Sequence, residues 1–375
     1  MKVTDMVRGW SGIFLLLGGA FSAFAQPAAS APAQGEKTPD GIEIVSRLEP
    51  PSPAHPFTEK ELAGYVMVYF KDETHSAYLA ISRDGYTFTD LNGGEPVFAG
   101  ELLAEQKGVR DPHLTRGPDG AFYLAMTDLH IYGDRAGHRA TRWQRPEEKY
   151  GWGNNRALVL MKSWDLIHWT HSDFRVDLAF PALGDIDCAW APETTYDPVV
   201  GKMMVYFTIR YGNKNANIYY AYADDAFTRL ETTPKMLPGI GGIDGDLTHV
   251  GDRWHLFYVG DARILHAVSS AITQGYVAET RRIDPESKAT EAPNLFRRLG
   301  TDTYVLMYDV YGARPNNMGF SETTDFTTYR DLGHFNEGVM RGTNFVRPKH
   351  GAVSYLTLEE LKAVAAHWHV AINLD

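Results

Sequence analysis

Cysteine is almost missing from this chain of 375 residues, where Cys188 stands alone. A single thiol excludes an intramolecular disulfide and leaves no basis for a cysteine-ligated metal site. Positive charge is also in deficit, with 36 Lys and Arg against 47 Asp and Glu and a net charge of −11. An acidic surface repels nucleic acid and anionic lipid, so neither is an expected partner. Long apolar runs are absent apart from one near the start. It centres on Ile13-Phe14-Leu15-Leu16-Leu17, follows Lys2 and Arg8, and precedes Ala23-Phe24-Ala25. The short run and the small-x-small tripeptide read as a signal peptide over 1–25, not as a membrane anchor. Residues 26–40, rich in Ala, Pro and Gln, read as a flexible linker, and 41–375 as one large domain. The expected location is periplasmic or secreted, with no membrane contact after cleavage.

What is present argues for stacked sheets. Hydrophobic residues make up 44% and charged residues 22%, which fits neither a disordered chain nor a membrane bundle. Aromatics reach 12%, a high share, as expected where sheets stack or sugar rings bind. A unit of organisation also repeats along the chain. Thr290-Glu291-Ala292-Pro293-Asn294-Leu295-Phe296 leads into Tyr304-Val305-Leu306-Met307-Tyr308-Asp309 across a turn at Gly300. Arg110-Asp111-Pro112 leads in the same way to Phe122-Tyr123-Leu124, and Trp190-Ala191-Pro192-Glu193 to Met203-Met204-Val205-Tyr206-Phe207. Ile243-Asp244-Gly245-Asp246 leads to Trp254-His255-Leu256-Phe257-Tyr258. A third and a fourth strand follow each pair. The fourth strands are expected at Trp164–Trp169, Asp225–Phe227 and Thr324–Tyr329, with a degenerate tail after Ser269.

The first unit, over residues 64–92, has three strands and no carboxylate-headed strand before it. Arg347–Tyr355 reads as a strand without outer partners of its own. Pairing the two closes a ring and removes its open edges. Thr357 and Glu360 then form a capping box for a short helix whose apolar face is Leu358, Leu361 and Val364. The fold class is therefore an all-β, five-bladed β-propeller, closed by pairing of the C-terminal strand with the N-terminal blade. One long connection, residues 128–156, carries His130, Tyr132, Arg135, His138, Arg142, Trp143, Tyr150, Trp152 and Asn154. A loop of that length and aromatic content reads as the rim of a binding site.

The first strand of each propeller blade lines the central channel, so Asp111, Glu193, Asp244 and Glu291 are expected to converge at one mouth. Carboxylates crowded into a partly dry pocket repel one another, and at least one holds its proton. A protonated acid facing an ionised base is the arrangement that glycoside hydrolysis uses. Taken singly, Asp111 also reads as a turn cap, Glu193 as an acceptor for backbone amides, and Asp244 or Asp246 as a turn residue. His350 also points into the channel, as a core histidine, a sugar contact or an ion ligand. Trp190 is placed to stack on a sugar face or to pack between blades.

Arg110-Asp111-Pro112, Trp190-Ala191-Pro192-Glu193, Ile243-Asp244, Thr290-Glu291-Ala292-Pro293 and Lys349-His350-Gly351 together resemble glycoside hydrolase family 43. The resemblance covers about residues 64–356. It implies inverting hydrolysis of arabinofuranosides or β-xylosides, with carbohydrate as the partner and no required cofactor. Asp111 then matches the general base, Glu291 the general acid and Asp244 the carboxylate that tunes the acid. Trp190, Glu193, His350 and Arg110 are the expected substrate contacts. His350 also matches a histidine near a channel calcium in some members, which leaves a structural calcium open while no protein metal ligand is assigned. The acid motif is Glu-Ala-Pro rather than the usual Glu-Gly-Pro. Asp-Gly-Asp replaces a frequent Asp-Pro, so Asp244 and Asp246 both remain open as the tuning residue.

Two rival readings exist. A retaining fructosidase-type propeller also carries Arg-Asp-Pro, but it needs an Asn-Asp-Pro-Asn-like nucleophile motif, and none lies upstream of residue 110. A sugar-binding propeller without catalysis fits an exported, aromatic-rich chain as well. Nothing in the residues bears on oligomeric state.

Overall fold

Leu62–Lys71 shows why these segments become strands. Alternate residues of a strand face opposite sides, and here both sides are apolar. Tyr65, Met67 and Tyr69 pack toward the fifth sheet, while Val66 and Val68 pack toward the second. Five such sheets are present in the computed structural model, which describes residues 41–51, 58–133, 137 and 145–372. The expected signal peptide and linker lie outside the described residues. So do Arg135, His138, Arg142 and Trp143 of the long connection.

In chain order from the channel outward, the second blade is Val109–Arg116, Phe122–Asp128, Ala157–Ser163 and His168–Arg175. The third is Cys188–Asp197, Lys202–Tyr211, Lys214–Tyr222 and Lys235–Gly241. The fourth is Ile243–Val250, Arg253–Gly260, Arg263–Ser269 and Val277–Ala278. The fifth is Glu291–Arg297, Tyr304–Val310, Asn317–Thr323 and Arg330–His334. Each inner strand packs against the next one around the ring. The first blade is completed by Lys349–Thr357, which pairs antiparallel with Leu62–Lys71 and closes the ring as expected. Five apolar clusters fill the five interfaces between blades. Two outer edges gain a short parallel strand each, Glu43–Ile44 on the second blade and Arg341–Gly342 on the first. Neither addition was expected.

Three outer strands are displaced from their expected places. Trp164–Ile167, Asp225–Phe227 and Thr324–Tyr329 are turns, and the fourth strands follow them. In the second and fifth blades the cause is a recurring hydroxyl-x-aspartate turn, and in the third Asp224 accepts the N–H groups of Thr228 and Arg229. Ser163 Oγ accepts the N–H groups of Asp165 and Leu166, and Asp165 accepts those of Ile167 and His168. Thr323 and Asp325 repeat the pattern in the fifth blade, and Ser82 and Asp84 a related one in the first. These side chains take backbone donors that a ladder would otherwise use. The capping box at Thr357 and Glu360 is formed. The helix it starts buries Leu361, Val364 and Ala365, with Leu358 only half-buried, because the buried face is centred one turn later than expected.

Each inner strand also carries one extra residue at the same rung. Pairing moves two residues along the neighbour, from Thr127 to Ala125, while the inner strand advances three, from Arg110 to His113. The same step occurs at 190–193, 243–246, 291–294 and 349–352. These are β-bulges. The second residue of each has positive φ: Asp111 51°, Ala191 43°, Asp244 49°, Ala292 58° and His350 26°.

The closing strand depends on close backbone contact at Gly351, where an added Cβ would lie 2.0 Å from the Val68 carbonyl oxygen. Gly351→Ala is therefore expected to cost about 2–3 kcal/mol. Urea denaturation reads this directly, and an unchanged midpoint would show that closure tolerates a wider rung.

Candidate active site

The bulges sort the channel residues into layers and correct one expectation. The four carboxylates do not share one structural position. Glu291 is the first residue of its bulge, Asp111 and Asp244 are the second, and Glu193 is the fourth, alongside His113, Asp246 and Asn294. Two separate groups result. Asp111, Asp244, Glu291 and His350 gather at one level, and His113, Glu193 and Asp246 at the next.

A bulge frees one backbone N–H from the ladder, and in four of the five blades a side chain of the preceding blade accepts it. Thr127 Oγ1 accepts Ala191 N–H at 2.9 Å, and Thr208 Oγ1 accepts Asp244 N–H at 3.3 Å. Asp309 Oδ1 accepts His350 N–H at 2.9 Å. Thr127, Thr208 and Asp309 all stand opposite the first bulge residue of their own blade. In the fourth blade that rung is Val259, which has no acceptor in its side chain. There Asp244 Oδ2 takes Ala292 N–H itself, at 3.3 Å. This contact ties Asp244 to the bulge that carries Glu291 and settles its orientation. Asp246 faces the lower layer instead, accepting Asn294 Nδ2 and Leu295 N–H at 3.0 Å each.

Charges in the upper group oppose one another. His350 Nδ1 lies 3.2 Å from Asp111 Oδ1, and Thr127 Oγ1 donates to Asp111 Oδ2 at 2.8 Å. Burial alone would raise the Asp111 pKa, but His350, Arg110 and Thr127 outweigh it and hold the carboxyl well below the usual range. Burial likewise works against a charged His350, yet Asp111, Asp244 and Asp309 raise its pKa to about 9. Asp244 is pushed up to about 6, by burial first and then by Asp111 and Asp309, against the pull of His350. Glu291 rises to about 8, through burial, Asp244 and Asp309, with Lys349 and His350 opposing. At neutral pH the group therefore holds an ionised Asp111 and a protonated Glu291.

The lower group is closed on itself. His113 Nε2 lies 3.7 Å from Glu193 and 3.9 Å from Asp246, and Tyr206 donates to Glu193 at 3.1 Å. Burial and Asp246 push the Glu193 pKa well up. Thr194 N–H donates to His113 Nδ1 at 3.2 Å, so the ring proton sits on Nε2 and faces the two carboxylates. Calcium takes six to eight oxygen ligands. The carboxylates here are engaged by protein donors, and His350 as a cation offers Nδ1 no lone pair. His113, Glu193 and Asp246 do bring one possible ligand atom each within 4.8 Å of one another, three against the six to eight that calcium takes.

The other expected contacts sit at the mouth. Arg110 donates to Asp72 at 2.6 Å and lies over the Phe70 ring at 4.5 Å. Asp72 also accepts Lys349 Nζ at 3.1 Å. Trp190 Nε1 donates to Gly153 O at 2.7 Å, and Arg210 covers its ring at 4.4 Å. Trp152 stands edge-on to Trp190 at 6.3 Å and is 54% exposed, so the described end of the long connection packs beside the inner strand of the third blade. Sequence reasoning assigned no role to Asp72, Thr127, Lys349 or Asp309. Asp309 did leave a signal, as an acidic residue ending the buried run from Tyr304.

Five blades around an acid-lined channel, with one carboxyl protonated beside an ionised one, define a glycosidase-type propeller. Residues 60–362 match the model of Glyco_hydro_43_rel, a probable glycosyl hydrolase domain, and the chain belongs to that family. Its partner is therefore a carbohydrate. Among solved structures the chain is similar to the GH43_1 enzyme from Xanthomonas citri complexed with xylose. There identity is 14% and the TM-score 0.45, over 60% of this chain and 74% of that one. It is also similar to CoXyl43, a GH43 beta-xylosidase/alpha-arabinofuranosidase from a compost microbial metagenome, at 14% identity and TM-score 0.44, over 60% and 77%. RS223-Beta-xylosidase gives 13% and 0.44, over 60% and 78%. No curated protein matches the chain.

The protonated acid has a consequence for stability. An unfolded glutamate ionises near pH 4.3, whereas folded Glu291 keeps its proton up to about 8. Across that window the folded state binds more protons, so this residue's contribution to stability falls as pH rises. Glu291→Gln removes the loss, and the gap in denaturant midpoint between variant and parent is expected to widen in the variant's favour from pH 5 to pH 9. A constant gap would show that Glu291 ionises as in the unfolded chain.

Proposed function

We propose an exported glycoside hydrolase that cleaves arabinofuranosyl or β-xylosyl linkages of plant polysaccharides or oligosaccharides by inverting single displacement. The observation that carries this reading is the gathering of Asp111, Asp244, Glu291 and His350 at one level of the channel, with His350 3.2 Å from Asp111 and Asp244 bonded to the bulge of Glu291. Export is supported by the charged start, the short apolar run and Ala23-Phe24-Ala25.

In this mechanism Glu291 gives its proton to the glycosidic oxygen as the bond from the anomeric carbon to that oxygen breaks. A water attacks the same carbon from the opposite face and loses a proton to Asp111. The His350 imidazolium keeps Asp111 ionised and makes it a weak base. Proton transfer to Asp111 then follows bond formation, because the water becomes acidic once its oxygen bonds to carbon. Asp244 holds the bulge of Glu291 in place and favours its proton. Trp190, Arg110 and His350 border the reacting group, whereas Glu193 acts from the lower layer, through His113 and Asp246. Trp152 offers a further ring face to a sugar beyond the bond being cut.

Glu291→Gln and Asp111→Asn are each expected to lower kcat on an aryl arabinofuranoside or xyloside by about 10²–10⁴-fold. Proton NMR of the first-formed sugar should show the inverted anomer. Retention would favour the fructosidase-type mechanism, and binding without any sugar release a non-catalytic propeller. Asp244→Asn removes a negative charge that favours the Glu291 proton. It should therefore move the alkaline limb of kcat/KM to lower pH, and an unmoved limb would remove Asp244 from that role.

A further inference from the structure

Thr127, Thr208 and Asp309 do the same structural work at equivalent rungs, each accepting the N–H freed by the next bulge. The two threonines do it with a neutral hydroxyl. Asp309 does it with a carboxylate, although a single acceptor atom is enough. Its second oxygen, Oδ2, is buried without a hydrogen-bond partner. Leaving a buried carboxylate oxygen unsatisfied is costly, so the clamp alone does not account for an acid here. The cation beside it is shared. Lys349 Nζ is 3.9 Å from Asp309 Oδ2 but 3.1 Å from Asp72 Oδ2. Asp72 therefore draws the ammonium aside and leaves the Asp309 charge partly uncompensated.

Directly across the ladder from Asp309 is Glu291. We propose that Asp309 is a positioning residue for the acid, its partly unshared charge keeping Glu291 in its proton-donating form while Lys349 limits the effect. The inference rests on the reading of Glu291 as the acid, and it adds a second tuning carboxylate to Asp244. The charged and titratable groups around Glu291 are Asp244 from the fourth blade, Asp309 from its own, Lys349 and His350 from the closing strand, and Tyr311 just past the ladder. Around Asp309 stand Glu291, Lys349, His350 and Asp72. Two anions thus favour the proton on Glu291 and two cations oppose it.

The test is the pH dependence of kcat/KM on 4-nitrophenyl arabinofuranoside and xyloside for the parent, Asp309→Thr, Asp309→Asn and Lys349→Gln. Threonine copies the clamp of the second and third blades, and asparagine keeps an acceptor for His350 N–H. The same titration is read without turnover from the Glu291 side-chain carbon-13 resonance, assigned by its loss in Glu291→Gln. Both Asp309 variants are expected to lower the Glu291 midpoint and the alkaline limb by about 1 pH unit, and Lys349→Gln to raise both. A purely structural clamp would not move the two in opposite directions. Midpoints unchanged in the Asp309 variants, or shifted the same way as in Lys349→Gln, would overturn the inference. If Glu291→Gln keeps parental turnover, the acid reading itself fails. If Glu291→Gln is inactive and the Asp309 variants leave the midpoint unmoved, only the role of Asp309 fails.

Discussion

One extra residue at the same rung of five inner strands is the constraint on which the rest depends. The bulge puts its second residue at positive φ and frees a backbone N–H from the ladder. Such backbone costs about 1–3 kcal/mol per residue and persists only where the surroundings enforce it. In four of the five the neighbouring blade enforces it, through Thr127, Thr208 and Asp309, and in one case through Asp244 itself. The same contacts that hold the ring together therefore fix where the acidic side chains point.

Electrostatics follow from that placement. Asp111 meets the His350 cation and stays ionised, while burial and two carboxylates outweigh Lys349 and His350 at Glu291 and favour its proton. Lys349 and Arg110 share Asp72, which limits the positive charge that reaches the acid. The lower layer of His113, Glu193 and Asp246 is held by hydrogen bonds from its surroundings, from Thr194 N–H, Tyr206, Asn294 and Leu295 N–H.

Much of this was legible in the sequence, and the failures have physical causes. Gly64–Phe70 and Tyr304–Asp309 announce strands because both of their faces are buried, and the unpartnered run at 347–355 announces ring closure. Outer strands were misplaced because aspartates in the Ser163, Thr323 and related turns capture backbone donors that a propensity reading assigns to a ladder. Lys235–Gly241 carries Pro238 and two glycines and lies on an edge, so it has little strand signal. The meeting of Asp111, Asp244 and Glu291 was readable from recurrence. Their registers were not, since Asp-Pro, Ala-Pro and Asp-Gly look alike as bends whichever residue carries the acid. Asp72 sits in a hairpin connection, and only the folded ring brings it to Arg110 and Lys349.

The central claim is that one carboxyl of the mouth is protonated at neutral pH while its neighbour is not. Infrared difference spectroscopy between the protein and Glu291→Gln at pH 7 tests it most directly. The account predicts a protonated-carboxyl stretch that the substitution removes and that fades as pH rises past about 8. A difference spectrum at pH 7 showing only the loss of an ionised carboxylate would contradict it.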